Sequence, residues 1–296
     1  MPVVAMIVSN PCDPDPRVEK EALSLIKAGF DVTIYAFDRE ENREQISTNE
    51  EVKIKRSRVG YTPTGARSLF LGAKVLSGLK RFRKNVLHDL LKNPPDIIHC
   101  HDADTLEIGI VMKSKTDTKL VFDMHDLAHT WARMARPKSI VRKMVAKVIE
   151  KQLVRRMKKC DLIITSSGAV SKTSYPGFRE WIRKRIKTNT KITVVENRPI
   201  KTKEVGPLPS EFTIGYAGKI REKSMFKTLI EAIEKWPDEN TPNIIIAGEG
   251  TADSEVDDLF LSSNINIERF GKFTRNELPS IIEKMSVMYA VYPTSR

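Results

Sequence analysis

Two stretches of the sequence decide the fold: DIIHCHDADTL at residues 96–106 and LVFDMHD at residues 120–126. In each of them, a short apolar run ends in a cluster of histidine and aspartate. Short apolar runs between polar residues are typical of buried parallel strands. The residues just past such strands lie at the carboxyl edge of an open α/β sheet, where ligands bind. The two stretches therefore predict strands with a candidate active site at one edge of the sheet.

The composition is that of a globular protein. With 296 residues, of which 40% are hydrophobic and 30% charged, the chain is long enough for two domains. No apolar run approaches the roughly 20 residues that cross a bilayer, and the start MPVVAMIV resembles a strand, not a signal peptide. The cysteines Cys12, Cys100 and Cys160 are scattered without a CxxC pair. This spacing argues against disulfides and a zinc site, and it predicts a cytoplasmic protein without a metal centre.

The net charge of +12 is unevenly distributed along the chain. Residues 53–92 contain 11 Lys or Arg against one acidic residue, and residues 133–159 contain another 11 against one. Such segments indicate an anionic partner (a phosphorylated substrate, a phospholipid surface or a nucleic acid), and a solvated basic face without a partner is the alternative. Aromatic residues make up only 7% of the chain, and no reading motif occurs, so we expect no nucleic-acid partner.

The order of predicted elements is that of two α/β domains. A strand at residues 3–8, a helix with Pro16 in its first turn and a strand at residues 31–37 give a β-α-β start, with Asp15 as the expected N-cap. Alternation of strands and helices restarts after a linker at residues 201–210, which contains two prolines. We therefore predict two doubly wound domains, over residues 1–200 and 211–296, of which the second is incomplete.

Several motifs, in order along nearly the whole chain, resemble those of one branch of the GT-B glycosyltransferases of family 4. The motifs are DPRVEKEA at residues 15–22, GFDV at 29–32, HCHDADTL at 99–106, VFDMHD at 121–126, DLIITSS at 161–167, VVENRP at 194–199, GYAGK at 215–219 and AGEG at 247–250. Each motif alone is weak, but the ordered combination is fairly specific. The resemblance implies a GT-B fold of two Rossmann-like domains.

The resemblance also implies an activity. Such an enzyme transfers a sugar from a nucleotide-sugar donor, its substrate, to a lipid-linked, polysaccharide or other glycan acceptor with retention of configuration. No further cofactor and no covalent nucleophile are implied, because attack on the same face is assisted by the leaving diphosphate. Family members carry two glutamates that hold the donor sugar and ribose, beyond the last strand seen here. We therefore expect either a fragment or a truncated relative.

The resemblance places His125 beside the transferred sugar and the donor phosphates. We predict that Asp126, His101 and Asp102 belong to the same catalytic region. A neutral imidazole at position 125 would form a hydrogen bond with a sugar hydroxyl, and a protonated imidazole would offset the negative charge of the phosphates. The alternative for His125 is a buried structural histidine. For His101 and Asp102 the alternative is a partly buried histidine beside a helix-capping aspartate.

In the second domain, the predicted donor-binding residues are Gly218, Lys219, Lys223, Gly248 and Gly250. Lys219 is expected at a helix N-terminus that follows a strand, which is a favourable place for a diphosphate. Where the family has a second basic residue, this sequence has Ser224, so Lys223 is the expected substitute. Glycines at strand ends are also common turn residues. The alternative for Gly218, Gly248 and Gly250 is therefore a turn that binds no ligand.

Two basic helical regions, over residues 68–91 and 139–159, supply the candidate acceptor- or membrane-facing residues Arg81, Arg83, Lys84, Arg142 and Lys143. Basic and apolar side chains alternate there, as in helices that lie on anionic lipid. This pattern makes an anionic membrane surface a candidate partner and predicts a peripheral protein at the inner face of a membrane. The alternative is an apolar stripe that faces the core and charges that face water.

Two other functions fit the same motifs. A catalytically silent GT-B-like binding or scaffold protein would follow from an incomplete donor site. A nucleotide-sugar epimerase would share the architecture and differ from a transferase only in its product. The sequence identifies neither the donor nor the acceptor.

Overall fold

The computed structural model describes residues 1–49, 51–59, 70–134, 139–168, 177–198, 206–237, 241–263, 265, 267–274 and 276–290. The chain divides into two compact units, unit 1 over Met1–Pro199 and unit 2 over Ile200–Arg296. Both units are α/β and are built on mainly parallel sheets, as the sequence predicted. Residues 201–205 of the predicted linker lie outside the described residues.

Unit 1 is built on one eight-stranded sheet. Its strands are β1 (Val3–Val8), β2 (Asp31–Asp38), β3 (Ile46–Asn49), β4 (Val52–Arg58), β5 (Ile97–His101), β6 (Lys119–Met124), β7 (Leu162–Thr165) and β8 (Lys191–Val194). The spatial order is β3-β4-β2-β1-β5-β6-β7-β8, and every pair is parallel except β3 with β4. The strand order reverses at β1, from which the chain proceeds first to β2 and later to β5. The boundary between β1 and β5 is therefore the switch point at which doubly wound sheets bind ligands.

Six helices cover this sheet within the described residues. They are α1 (Pro16–Lys27), α2 (Phe70–Lys92), α3 (Leu106–Lys115), α4 (Ala128–Met134), α5 (Ile140–Met157) and α6 (Phe178–Arg185). The Asp15 carboxylate accepts a hydrogen bond from the Val18 backbone N–H at 3.3 Å, which confirms the predicted N-cap of α1. Pro16 occupies the first turn, where no backbone donor is needed.

Alternation along the strands separates two environments. Ile98 and Cys100 on β5, and Phe122 on β6, join the large core that also contains residues of α2, α3 and α5. Successive side chains of a strand point to opposite faces of the sheet. On β5, His99 and His101 alternate with Ile98 and Cys100, and on β6 Asp123 follows Phe122. These three polar side chains therefore point to the opposite face, which carries α1. Polar groups from two strands and one helix are collected in this way at the carboxyl ends of β5 and β6.

Unit 2 is a smaller parallel sheet with the order β11-β10-β9-β12. Its strands are β9 (Thr213–Ala217), β10 (Asn243–Ala247), β11 (Ile267–Phe270) and β12 (Val287–Met288), and its helices are α7 (Ser224–Ile233), α8 (Asp253–Ser262) and α9 (Leu278–Ile282). Phe226 of α7 and Phe260 of α8 pack edge to face over the sheet, with ring centroids 6.1 Å apart. Across the described parts of both units, no helix combines the length and the apolar character that a bilayer span requires.

Candidate active site

Asp123, the penultimate residue of β6, is the centre of the polar cluster in unit 1. Its side chain is fully buried. Arg17 of α1 donates to its Oδ2 atom, and His101 Nδ1 lies 3.3 Å from the same oxygen. Burial alone would raise the pKa of Asp123, but the imidazoles of His101 and His125, together with Arg17, hold that pKa well below its usual range. Asp123 is therefore an ionised carboxylate held by three cationic or polar neighbours.

His125 follows the end of β6 and lies between two carboxylates. Its Nε2 atom is 3.1 Å from Asp102 Oδ1, and its Nδ1 atom is 3.7 Å from Asp123 Oδ2. Burial opposes the charged imidazolium, but the two carboxylates outweigh it and raise the pKa of His125 to about 10. At neutral pH this side chain carries a positive charge, and about a quarter of it is exposed.

The backbone explains why Asp102 reaches His125. Asp102 has a φ of +65°, a left-handed conformation that aspartate tolerates better than most residues. Its backbone N–H donates to the Asp123 carbonyl at 3.1 Å, and the Thr105 hydroxyl donates to the His101 carbonyl at 2.6 Å. The turn after β5 is thereby fixed against the end of β6. Thr105, and not Asp102, is the N-cap residue of helix α3, although its side chain makes no capping hydrogen bond.

The structure thus brings together all four predicted catalytic residues. The alternative interpretation of His101 was a partly buried histidine. In the structure this residue is almost fully buried, with 1% of its surface exposed. Asp126 is exposed as a residue. Its carboxyl group is nevertheless partly buried, and this burial, together with the negative charge of Asp102, raises the pKa of Asp126. One ligand atom each from Asp102, His125 and Asp126 lies within 4.8 Å of the others, a spacing that a metal ion could use.

Sequence reasoning missed the second layer of this site. Arg17 and Glu21 are four residues apart on α1 and form an ion pair at 3.2 Å. His99 Nε2 lies 3.9 Å from Glu21 Oε2, and the His99 and His101 rings are 4.3 Å apart between centroids. The signal was present in the i, i+4 spacing of Arg17 and Glu21 and in the placement of His99 and His101 on one strand face.

An open, mainly apolar cavity of about 450 Å³ borders this layer within unit 1. Its lining includes Arg17, Glu21 and His99, together with apolar side chains of β5, β6 and β7 and residues 195–198. The polar cluster is therefore reached from solvent along α1.

Two of the three glycines predicted to bind the donor in unit 2, Gly248 and Gly250, are required by the backbone itself. Gly248 has a φ of +121°, and a Cβ atom there would lie 1.9 Å from the Gly218 carbonyl oxygen. At Gly250 a Cβ atom would lie 1.7 Å from the Ile220 carbonyl oxygen. The loops after β9 and β10 approach too closely for any side chain. This packing explains both glycines without a ligand, and donor binding stays a prediction.

Lys219 and Lys223 are both exposed, but only Lys223 lies at a helix start. Helix α7 begins at Ser224 with Lys223 as its N-cap residue, so the expectation that Lys219 stands at a helix N-terminus is wrong. The loop is longer than expected because Ile220 forms a bridge to Gly250 before the helix starts. Lys219 extends from this loop, with its carbonyl accepting from the Tyr216 hydroxyl at 2.9 Å.

The predicted basic residues divide into two groups. Arg83 is engaged within the fold, because it pairs with Glu107 at 2.5 Å and donates to the Asp104 carbonyl. Arg142 is partly engaged through a bond to the Ala132 carbonyl at 3.1 Å. The other three, Arg81, Lys84 and Lys143, are exposed.

Helix α5 presents an apolar face to solvent. Its buried residues are Ala146, Leu153 and Met157. Five large apolar side chains, between 46% and 74% exposed, lie on the other side: Ile140, Val141, Met144, Val145 and Val148. Their spacing of i, i+1, i+4, i+5 and i+8 forms one stripe, which at about 100° per residue is nearly opposite the buried residues. The alternative that this apolar stripe faces the core is therefore wrong for the first half of α5.

Comparison with known proteins supports the architecture. The sequence profile described as Glycosyltransferase Family 4 matches residues 18–197. Sucrose-phosphate synthase from Thermosynechococcus elongatus superposes with a TM-score of 0.71 at 13% identity, over 97% of this chain and 75% of that one. The lipopolysaccharide outer core galactosyltransferase WaaB in its apo form gives 0.60 at 14% identity, over 97% and 73%.

A third similar structure is that of Anabaena HepE in complex with UDP and glucose, with a TM-score of 0.58 at 11% identity, over 97% of this chain and 73% of that one. No curated protein sequence matches the chain significantly.

Proposed function

Because the chain belongs to glycosyltransferase family 4 and has the GT-B fold, we propose that it transfers a sugar from a nucleotide-sugar donor to a glycan acceptor. The observation that carries this proposal is the position of His125 at the carboxyl edge of the unit 1 sheet, between Asp102 and Asp123. The complex of HepE with UDP and glucose supports a nucleotide-sugar donor. A lipid-linked or polysaccharide acceptor and retention of configuration are finer parts of the proposal.

In the proposed reaction, the bond between the sugar C1 and the donor phosphate oxygen breaks as the acceptor oxygen bonds to C1 on the same face. The acceptor proton passes to the leaving diphosphate. His125 stabilises the charge that develops on this diphosphate or holds the sugar beside it. Arg17 holds Asp123, and Asp123 faces His125 from the buried side of the site. Asp123 and Arg17 therefore act as positioning residues.

In unit 2 we propose that Lys219 and Lys223 pair with donor phosphates. Both are exposed, and Lys223 stands at the N-terminus of the ten-residue helix α7, where backbone donors and the helix dipole favour an anion. Gly218, Gly248 and Gly250 shape the same loops. Besides the nucleotide sugar, the proposal requires no cofactor.

The test is incubation of the full chain with UDP-, GDP- and ADP-sugars and a panel of acceptors, followed by mass analysis. Transfer releases the nucleoside diphosphate and adds a sugar mass to the acceptor. We expect H125Q to slow release by roughly 10²- to 10³-fold, the range for loss of one preorganised charge stabiliser, whereas H129Q should not.

The alternatives give other products. An epimerase would convert the nucleotide sugar to an isomer without release, and a silent binding protein would bind the nucleotide without turnover. Absence of release with every donor would overturn the transferase proposal.

We further propose that α5 docks on an anionic membrane. The stripe from Ile140 to Val148 is apolar and exposed. Lys143 and Lys147 border it, and Lys151 and Arg155 continue it along the helix. An exposed apolar stripe with basic neighbours matches an anionic bilayer surface, where the side chains enter the headgroup region and the cations meet lipid phosphates. Such docking would make the protein peripheral at the inner face of a membrane and close to a lipid-linked acceptor.

A further inference from the structure

Four metal-ligating side chains converge between α1 and the sheet, below the proposed catalytic residues. They are Glu21 of α1, His99 and His101 of β5, and Asp123 of β6, and one ligand atom of each lies within 4.8 Å of the other three. His99, His101 and Asp123 are more than nine-tenths buried, and Glu21 is partly buried. The group is distinct from Asp102, His125 and Asp126, which lie nearer the surface.

The hydrogen bonding of this cluster is incomplete. Within the described part of the chain, Glu21 Oε2, His99 Nε2, both ring nitrogens of His101 and Asp123 Oδ1 are buried without a hydrogen-bond partner of good geometry. Buried polar groups are normally satisfied, and leaving several of them unpaired in one place is costly. These unpaired atoms belong to the four side chains that converge, so a single bound ion could take one of them from each side chain.

Arg17 is the charged group that most directly opposes a cation here, but its contacts leave room for one. Its guanidinium holds Glu21 through Oε1 and Asp123 through Oδ2. The other oxygen of each carboxylate, Oε2 and Oδ1, is the unpaired one. Arg17 thus orients both carboxylates as a second layer of contacts does around metal ligands. Within the group, two carboxylates against one guanidinium leave one net negative charge for a divalent ion, and the positive charge of His125 beyond Asp123 is offset by Asp102.

From this geometry we propose that Glu21, His99, His101 and Asp123 form a site for a divalent transition-metal ion, with Zn²⁺ as the best fit. Two imidazoles and two carboxylates are a donor set that zinc accepts at about 2.0–2.2 Å. The four donor atoms, now within 4.8 Å of one another, would have to approach to about 3.3–3.6 Å, the distance between the corners of a tetrahedron with such bonds. The cavity along α1 gives the ion a route from solvent.

The test uses the full chain, stripped with a chelator and then dialysed against Zn²⁺ or Co²⁺. We expect the wild type to retain about one equivalent of metal and the Co²⁺ form to show the visible absorption of a tetrahedral site. E21Q and H99Q should each lose metal affinity by roughly 10-fold or more. Folding of both variants is checked by circular dichroism. If H99Q fails to fold, E21Q alone tests the metal site, because it preserves the shape of a partly exposed side chain.

Two further histidine variants locate the ion. H125Q should retain the metal, because His125 belongs to the other group, and H129Q is the control outside both groups. A wild type that releases Zn²⁺ on dialysis would overturn the proposal. Metal lost in H125Q but kept in H99Q and E21Q would overturn it as well, because the ion would then sit on the outer group. None of these measurements depends on sugar transfer, so failure of the proposed activity would leave the result readable.

Discussion

The exposed stripe on α5 permits a quantitative prediction about membrane binding. We consider the double substitution M144S/V148S, in which the two wild-type side chains are 64% and 56% exposed. Full burial of such a side chain contributes about 1.5–3 kcal/mol. Scaled by the exposed fractions, the pair contributes roughly 1.8–3.6 kcal/mol on insertion, an estimate made on the same area basis. Since 1.4 kcal/mol is about a factor of ten, the variant should bind vesicles roughly 20- to 400-fold more weakly.

The assay is flotation of the protein with vesicles of anionic lipid and with vesicles of neutral lipid. The wild type should float with the anionic vesicles and lose binding as salt screens the basic side chains. The substitutions K147Q and K151Q should each weaken binding to anionic vesicles by about 1 kcal/mol and leave binding to neutral vesicles unchanged.

The matched control is L261S, which removes an apolar side chain that is 80% exposed at the end of α8 in unit 2. If binding requires the α5 stripe, this variant should behave like the wild type. Equal loss of binding in L261S and M144S/V148S would refute a specific role for α5. Wild-type protein that does not float with anionic vesicles at low salt would refute membrane docking altogether.

Three other substitutions test the architecture of the two units. In urea unfolding, D123N should destabilise unit 1 by about 3–5 kcal/mol, the usual cost of breaking a buried ion pair. The control D89N, which breaks a surface pair with Lys55, should cost less than about 1 kcal/mol. G250A should destabilise unit 2 by about 1–3 kcal/mol or more through overpacking against the Ile220 carbonyl, and a stability equal to that of G206A, where a Cβ meets nothing within 4 Å, would contradict the geometry. D102N should lower the pKa of His125 from about 10, as followed by the NMR shifts of its ring. Because the folded-state pKa exceeds the unfolded value of about 6.5, the stability from this contact is complete below pH 6.5 and is lost as the pH rises through about 10, so the deficit of D102N should disappear at high pH.

The parts of the fold that the sequence predicted are those governed by local rules. Neighbouring residues are enough to predict the cap at Asp15, the strands that end at His101 and just before His125, and the glycines at the ends of β9 and β10. Helix α3 was missed because its sequence, LEIGIVMKSK, is apolar over most of its length and lacks a clear helical stripe. In α5, composition revealed alternation of apolar and basic residues, but only packing determined which side faces the core.

The candidate site was predictable in its outer layer and, beneath that layer, only at His101. His125 and Asp102 lie in recognisable motifs, whereas Arg17 reaches Asp123 from a position 106 residues earlier in the chain. Such a contact depends on how α1 crosses the sheet, which no local spacing determines. The same holds for Lys219, whose distance from helix α7 depends on a bridge between two loops.

The buried carboxylate of Asp123 has one further consequence. Its Oδ2 atom faces Arg17, His101 and His125, while its Oδ1 atom is buried without a hydrogen-bond partner in the described part of the chain. Charge added at one group therefore changes the electrostatic potential at the other through a single side chain. If His125 takes a phosphate and the buried group takes a cation, the two equilibria are linked, and each ligand must change the affinity for the other by the same factor.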